Sequence, residues 1–404
     1  MYFDVAIVGG GAAGLAAAVK LKQLNSNLSV AVLEQNDRVA KKLITTGNGQ
    51  CNITNRFVNI EKYHGETEII KEVFEKYGLE YTLDFFESIG VSITFKEDGR
   101  AYPSSYQASS VVDALRFSAE ELGINIITDC AVSDIKSQNK IILNTTKGSI
   151  NAQNVILAAG LFSAVKGDNK ASVFEMLKSK GFSTQKVTPA IVQIKTQTQV
   201  VKQLKGIKVD GAVSLYNKEN LIRRESGEIL FTDYGISGPP VLQISREAAI
   251  KQNLTVLIDL LPEYSFENLV VYLQKRRDLL KVRLTENFLN GFVNKRVGQV
   301  VLKLAEIDLK KQIVKLTDKE IKEIATLLKR FKLEATGTTG FQNSQVSAGG
   351  ISVSEIDASM QTHRIKNLYI VGELLNIDGD CGGYNLQWAW SSAFAAANAI
   401  ARSK

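Results

Sequence analysis

The sequence predicts an α/β protein: a discontinuous dinucleotide-type domain carrying two inserted units, one β-rich and one helical. Three observations predict it. A glycine-rich strand–turn–helix opens the chain, a strand–glycine–helix element closes it, and the hydrophobic periodicity changes twice between them.

The opening element is an apolar strand, Phe3 to Val8, then Gly9-Gly10-Gly11-Ala12-Ala13-Gly14 and an alanine-rich helix. Gly9, Gly11 and Gly14 have the G-x-G-x-x-G spacing, which permits a tight turn, close approach of a pyrophosphate to the main chain and close helix–strand packing. Phosphates would lie at the helix N-terminus near the Ala13 N–H, where free donors and a positive dipole end meet. A second strand, Leu28 to Leu33, runs into Glu34 and Gln35. Glu34 stands twenty residues after Gly14, where a carboxylate accepts from ribose hydroxyls. Ile124 to Val132, Lys140 to Thr146 and Gly148 to Ala152 read as a three-strand meander returning to the parallel sheet at Asn154 to Gly160. Ala159 and Gly160 end that strand with small residues that let backbone approach a cofactor, and Val132 is placed to meet an adenine through its backbone.

From Thr188 to about Leu260 short alternating strands dominate, including Ala190 to Thr196 and Gly211 to Tyr216. A strand and turn over Gly227 to Gly238 lead to a helix starting at Pro239. From Ser265 to about Leu333 apolar residues recur at helical spacing among lysines. The last seventy residues resume the α/β pattern, with a strand at Leu368 to Val371, a glycine-rich segment over Gly372 to Asn385 and a helix from about Leu386 to Ala401. The expected boundaries are therefore 1–187 with 336–404 for the nucleotide domain, 188–262 for an antiparallel β unit and 263–335 for a basic helical unit.

Composition narrows the function classes. The chain has 404 residues, 45% of them hydrophobic, enough for a substantial core. No apolar run reaches the ~18 residues of a membrane span, and no basic stretch precedes an apolar one at the start, so a cytoplasmic location is expected. Cys51, Cys130 and Cys381 are far apart without CxxC spacing, which argues against a disulfide reductase. His64 and His363 stand alone, read most simply as surface residues, and give no metal-binding pattern. Residues 265–335 hold 16 Lys and Arg against 9 Asp and Glu, a surplus equal to the +7 of the whole chain. Such localisation fits either a solvated helical face or an anionic partner, nucleic acid first among them.

The closing segment offers Gly372, Glu373 and Asp378 beside a buried strand, and the backbone N–H groups of Tyr384, Asn385 and Leu386 at a helix start. These would face a group that gains negative charge on reduction. One dinucleotide fold with both an early phosphate loop and this late element suits FAD, which spans the domain, better than NAD. No second G-x-G-x-x-G is present, so NADH or NADPH would dock only transiently as hydride donor. A further loop, Lys41 to Asn52, follows the Glu34 strand: Lys41 and Lys42 can balance phosphate or flavin charge, and Thr46, Gly47 and Asn52 offer hydroxyl, main-chain and amide contacts. A plain solvent loop fits the same residues. Cys51, Cys381 and Tyr384 lie in segments expected to reach a flavin ring and are the candidate proton donors, with an inert buried thiol the alternative for either cysteine. Tyr102, in a Pro-bounded loop, could line the substrate side and stays outside the catalytic set.

Glycines 9 to 14, Thr46 to Asn52, the Phe231 to Pro239 turn, Gly349-Gly350-Ile351 and Asp378 to Gln387 together resemble the BaiN/YhiN-type bacterial FAD-dependent oxidoreductases over essentially the full length. The resemblance implies a two-dinucleotide-type, GR2-like Rossmann domain with β-rich and helical insertions, FAD as cofactor and reduction of activated carbon–carbon double bonds. It implies two substrate classes: uracil in 23S ribosomal RNA, giving dihydrouridine, and steroid-acid enones. Asn48 is a mild departure from the family pattern. Three functions are therefore weighed: an rRNA reductase using the basic 263–335 unit, an enone reductase acting on a small hydrophobic molecule, and a flavin-bound RNA-binding factor without turnover. No protein partner can be read.

Overall fold

The computed structural model describes residues 1–163 and 172–403. These fall into two units, one made of Met1–Pro189 with Gln345–Lys404 and the other of Ala190–Ser344.

The first unit is built on a seven-stranded sheet. Across it run Asn125–Ile127, Val30–Leu33, Tyr2–Val8, Gly148–Leu157, Ile141–Thr145 and Val132–Ser137, with Leu368–Ile370 also paired to Gly148–Leu157. The ten-residue strand Gly148–Leu157 does two jobs. Its first half pairs antiparallel with Ile141–Thr145, while Val155 to Leu157 lie between the parallel strands Tyr2–Val8 and Leu368–Ile370. The strands with parallel neighbours on both sides are wholly apolar and buried at this level, as sheets covered on both faces require. The helices Ala12–Leu24 and Tyr384–Arg402 pack against each other, both rich in alanine, so the first and last parts of the chain complete one domain.

Two expectations are corrected here. Ile124 to Val132 is not one strand: Asp129 has φ +48°, and its N–H and that of Cys130 turn aside to the carbonyls of Asn36 and Glu34. Gly148 to Ala152 and Asn154 to Leu157 are not separate either, because the polar Gln153 is tolerated within one continuous strand.

The second unit is a closed six-stranded barrel: Ile194–Thr196, Gly235–Ser237, Asn220–Phe231, Lys208–Asn217, Leu254–Asp259 and Phe331–Thr338. The helices Phe266–Leu279, Lys295–Leu304 and Asp318–Lys329 lie between the last two strands in sequence and share their core, with Leu269, Leu273, Val301, Ile321 and Ile324 buried in the same cluster as Val256, Ile258 and Phe331. The expected division at residue 262 therefore does not separate two bodies. Each helix buries only one stripe, and that stripe needs the barrel strands as partner. Among the described residues no helix is long and apolar enough to cross a membrane.

Candidate cofactor site

The first unit presents the glycine loop at the end of Tyr2–Val8. Its three glycines answer different needs. A Cβ on Gly14 would stand 1.9 Å from the Gly9 carbonyl oxygen, and one on Gly9 would stand 2.5 Å from the Ala158 oxygen, so both are required by the packing of the chain on itself. A Cβ on Gly11 would meet nothing within 4 Å. Gly11 caps Ala12–Leu24 with extended backbone and no side-chain acceptor, leaving the first-turn N–H groups, including those of Ala13 and Gly14, without a side-chain cap. An open cradle beneath uncapped donors is what a pyrophosphate needs.

Glu34 is buried beside this loop. Its Oε2 accepts the Gly10 N–H at 2.9 Å, and its Oε1 accepts the backbone and side-chain N–H groups of Asn36 at 2.8 and 2.6 Å. A carboxylate has further lone pairs, so capacity for ribose hydroxyls remains. Gln35 is exposed at the same strand end. Val132 is buried two residues beyond Cys130, whose N–H donates to the Glu34 carbonyl, so the meander comes to the edge of this site.

The adjacent lysines diverge. Lys42 Nζ lies 2.5 Å from both Glu373 Oε2 and Ser163 Oγ; the same serine donates to Glu373 Oε1 at 2.5 Å, and the Ser347 N–H donates to that oxygen at 2.7 Å. Gly372, with φ +68°, and Gly160, with φ +66°, bring their segments to this cluster: a Cβ on Gly372 would stand 3.3 Å from Ala13 Cβ and one on Gly160 3.6 Å from Glu373 Oε2. Ala159 precedes Gly160 and is half-buried. Lys41 instead pairs with the exposed Asp37. The two consecutive lysines on this loop therefore point to different partners. Lys42→Ala is expected to weaken FAD binding about tenfold, the worth of one charge-assisted contact, while Lys41→Ala leaves it unchanged; FAD titration of both apoproteins checks this.

The loop after Lys42 folds tightly. Thr46 is extended, then Gly47 and Asn48 have φ +58° and +54°, and Cys51 has φ +57°. Two non-glycine residues in the left-handed region mark local strain. The Cys51 N–H donates to the Thr46 carbonyl at 3.0 Å and its side chain is fully buried. Burial pushes its thiol up to about 12, against an opposing hydrogen bond from Thr46. Cys51 therefore stays a thiol at physiological pH and holds the loop rather than reaching out from it. Native protein treated with iodoacetamide near neutral pH should leave Cys51 unlabelled, and labelling should require denaturant. Because the folded thiol is the weaker acid, its contribution to stability is full below 9.0 and is lost as pH rises from there towards 12.

Two buried polar atoms, Asn52 Oδ1 and Ser347 Oγ, have no hydrogen-bond partner among the described residues. Orphaned buried polar atoms are rare, and both belong to the segments that surround the Lys42–Glu373 pair and the tight loop. The closing helix starts at Tyr384, after Gly383 with φ +98°; a Cβ there would stand 2.3 Å from the Thr54 oxygen. This helix too has no side-chain cap, so its first N–H groups, Asn385 and Leu386 among them, face outward from the turn. The Asn385 side chain is occupied, bonded to Gly379 through both its oxygen and its nitrogen, at 2.8 and 2.7 Å. Asp378 is buried in a short strand paired to His64, and His64 Nε2 lies 2.9 Å from Asp380 Oδ1. The surface reading of His64 is corrected by this pair. Tyr384 is buried, with its ring edge-on to Tyr63 at 6.1 Å. Cys381 is partly exposed, and its thiol is pushed up by burial while Arg100 acts in the opposite direction. Ser163, Ser347, Asn36 and Arg100 escaped the sequence reading; only Ser347 carried a local signal, standing two residues before Gly349-Gly350.

A family model described as HI0933-like protein Rossmann domain matches residues 3–399. The chain belongs to the HI0933-like family. It is 32% identical over 404 residues to a 3-dehydro-bile acid delta(4,6)-reductase of Clostridium scindens, covering 98% of each chain. It is 26% identical over 412 residues to a ribosomal RNA dihydrouridine synthase of Haemophilus influenzae, covering 99% of each. The fold is similar to that of a 3-ketosteroid delta1-dehydrogenase from Sterolibacterium denitrificans, with TM-score 0.54, 12% identity and 100% of both chains covered. As a member of the HI0933-like family the chain is an FAD-dependent oxidoreductase with a Rossmann-type FAD-binding fold. The open cradle at Gly11, the two uncapped helix starts and the orphaned Asn52 and Ser347 atoms are what an FAD would fill and satisfy.

Proposed function

We propose that this protein uses NADH or NADPH to reduce an activated carbon–carbon double bond, with uracil in 23S ribosomal RNA as the favoured substrate. The observation that carries the RNA reading is the localised charge of residues 263–335. Lys275, Lys281, Arg283, Lys295, Lys315 and Lys322 are exposed and have no carboxylate within ion-pair distance among the described residues. Unpaired cations of this kind release counterions when they meet phosphates, so binding falls steeply as salt rises.

Bound FAD supplies two-electron transfer between the nicotinamide and an electron-poor substrate carbon. In this reading the first-turn N–H groups after Gly11 hold the pyrophosphate, Glu34 the ribose, and Lys42 with Glu373, Ser163 and Ser347 the middle of the cofactor. The N–H groups of Asn385 and Leu386 stabilise negative charge that develops on reduction. Cys381 or Tyr384 holds the proton delivered to the carbon next to the one receiving hydride. Both stay protonated at neutral pH, since burial raises each, and Asp380 adds to that effect for each. Cys51 supports the loop.

A second reading, an enone reductase acting on a steroid-like acid, is favoured by the 32% identity to the bile acid reductase. The two are separated by measuring dihydrouridine in 23S rRNA from cells with and without the gene, alongside NAD(P)H oxidation by purified protein with an rRNA transcript or a 3-keto-4-ene steroid acid. Loss of dihydrouridine with the gene supports the first; unchanged dihydrouridine with steroid-dependent oxidation replaces it with the second. A flavin that is reduced slowly, with neither substrate consumed, would leave a binding factor.

A further inference from the structure

A small antiparallel sheet of the first unit, Thr54–Asn55, Arg100–Pro103 and Ile93–Phe95, carries rings and cations that are not among the residues assigned to the cofactor above. Lys96 Nζ stands 4.7 Å from the Tyr102 ring centroid and 5.4 Å from that of Tyr106, and the two rings are 5.7 Å apart and inclined by 36°. The Arg56 guanidinium lies 4.5 Å over Phe95. Phe57 and Tyr106 remain 56% and 42% exposed. Arg100 is held by Asp98, but among the described residues no carboxylate lies within ion-pair distance of Lys96 or Arg56.

This surface is fastened to the cofactor loops. Asn55 Nδ2 donates to the Gly382 carbonyl at 2.9 Å, next to Cys381, and Tyr102 Cε1 lies 3.7 Å from where a Cβ on Gly47 would stand. Whatever rests on Tyr106 and Lys96 is therefore continuous with the segments that hold Cys381 and the tight loop.

Exposed rings that alternate with unpaired cations suit a ligand whose planar rings alternate with anions. That is the chemistry of a single-stranded nucleic acid, which stacks its bases on aromatic faces and lays its phosphates on Lys and Arg. A steroid acid offers one carboxylate and no aromatic repeat, and would leave one of the two cations unanswered. We propose that Arg56, Phe57, Lys96 and Tyr106 form a docking site for the unpaired nucleotides that flank the base being reduced: Tyr106 and Phe57 stack bases, and Lys96 and Arg56 take their phosphates. The proposal rests on the RNA reading above.

The test is fluorescence anisotropy of a short fluorescein-labelled oligouridylate with the FAD-loaded full-length protein. Tyr106→Ala should weaken binding about tenfold, the effect of one lost stack, and Lys96→Ala should weaken it and lower the salt dependence by about one counterion. FAD content at the wild-type level reports that each variant is folded, and Phe57→Ala, on the opposite strand end, gives a second stacking variant should one of them fail to fold. Wild-type binding by all three variants, or no oligouridylate binding by the unmodified protein, overturns the docking site. Oligouridylate binding that the variants lose, together with unchanged 23S dihydrouridine in cells lacking the gene, would uphold the docking site while removing the proposed rRNA substrate.

Discussion

Gly11→Asp should yield a protein that is more stable than wild-type apoprotein and unable to hold FAD. Gly11 has φ −84° and ψ −165°, the backbone of an ordinary N-cap, and a Cβ there meets nothing. An aspartate at this position would cap Ala12–Leu24 and complement its dipole, gains of roughly 0.5–1 kcal/mol. The same carboxylate would take the N–H groups proposed for the pyrophosphate and set a like charge against it, which costs several kcal/mol and weakens FAD binding on the order of 100-fold or more. Thermal denaturation of apoprotein and FAD titration give the two readings, and opposite signs are the signature. An aspartate variant that still purifies yellow would place the cofactor elsewhere. Gly14→Ala is the contrasting case: with the Gly9 oxygen 1.9 Å from the new carbon, the strand and helix cannot pack, so the fold fails before binding is tested.

Gln387→Leu should cost about 3 kcal/mol of stability with little change in volume. Gln387 is fully buried in the closing helix. Its Oε1 accepts from Thr54 Oγ1, and its Nε2 donates to Thr82 Oγ1 and Ser391 Oγ, each at 2.8 Å. Thr82 and Ser391 keep other partners, the Gly78 and Tyr77 carbonyls, but the Thr54 hydroxyl would lose its acceptor inside the core. Urea unfolding of the FAD-free protein measures the loss. A change below about 0.5 kcal/mol would mean that the network forms equally in the unfolded reference or is bridged by water.

What could be read from the sequence was local. The glycine spacing and Glu34 are separated by one strand and one helix, so their register follows from the chain itself. The closing Gly372 to Leu386 segment announced itself in the same way, because glycines and polar residues interrupt apolar runs. The partners of Glu373 did not. Ser163 and Ser347 reach it from 210 and 26 residues away, and no period links them. Lys41 and Lys42 were indistinguishable in the sequence for the opposite reason: they are neighbours on an irregular loop, where adjacency says nothing about direction. Barrel closure was hidden too. Phe331–Thr338 alternates apolar and polar residues, but its pairing with Ile194–Thr196 spans more than 130 residues of chain, and the lysine-rich helices before it mask the change of period. The helical insertion therefore read as a body of its own when it is a cover for the barrel.

We propose that a flavin dinucleotide lies between the opening glycines and the closing Gly383 turn of the first unit. Its most direct test is the cofactor content of the purified protein, with the wild type and Gly11→Asp denatured in parallel and the released flavin identified and counted. Close to one FAD per wild-type chain and almost none in the variant is the expected result. A colourless wild-type protein that takes up no added FAD, or a variant that retains it in full, would contradict it.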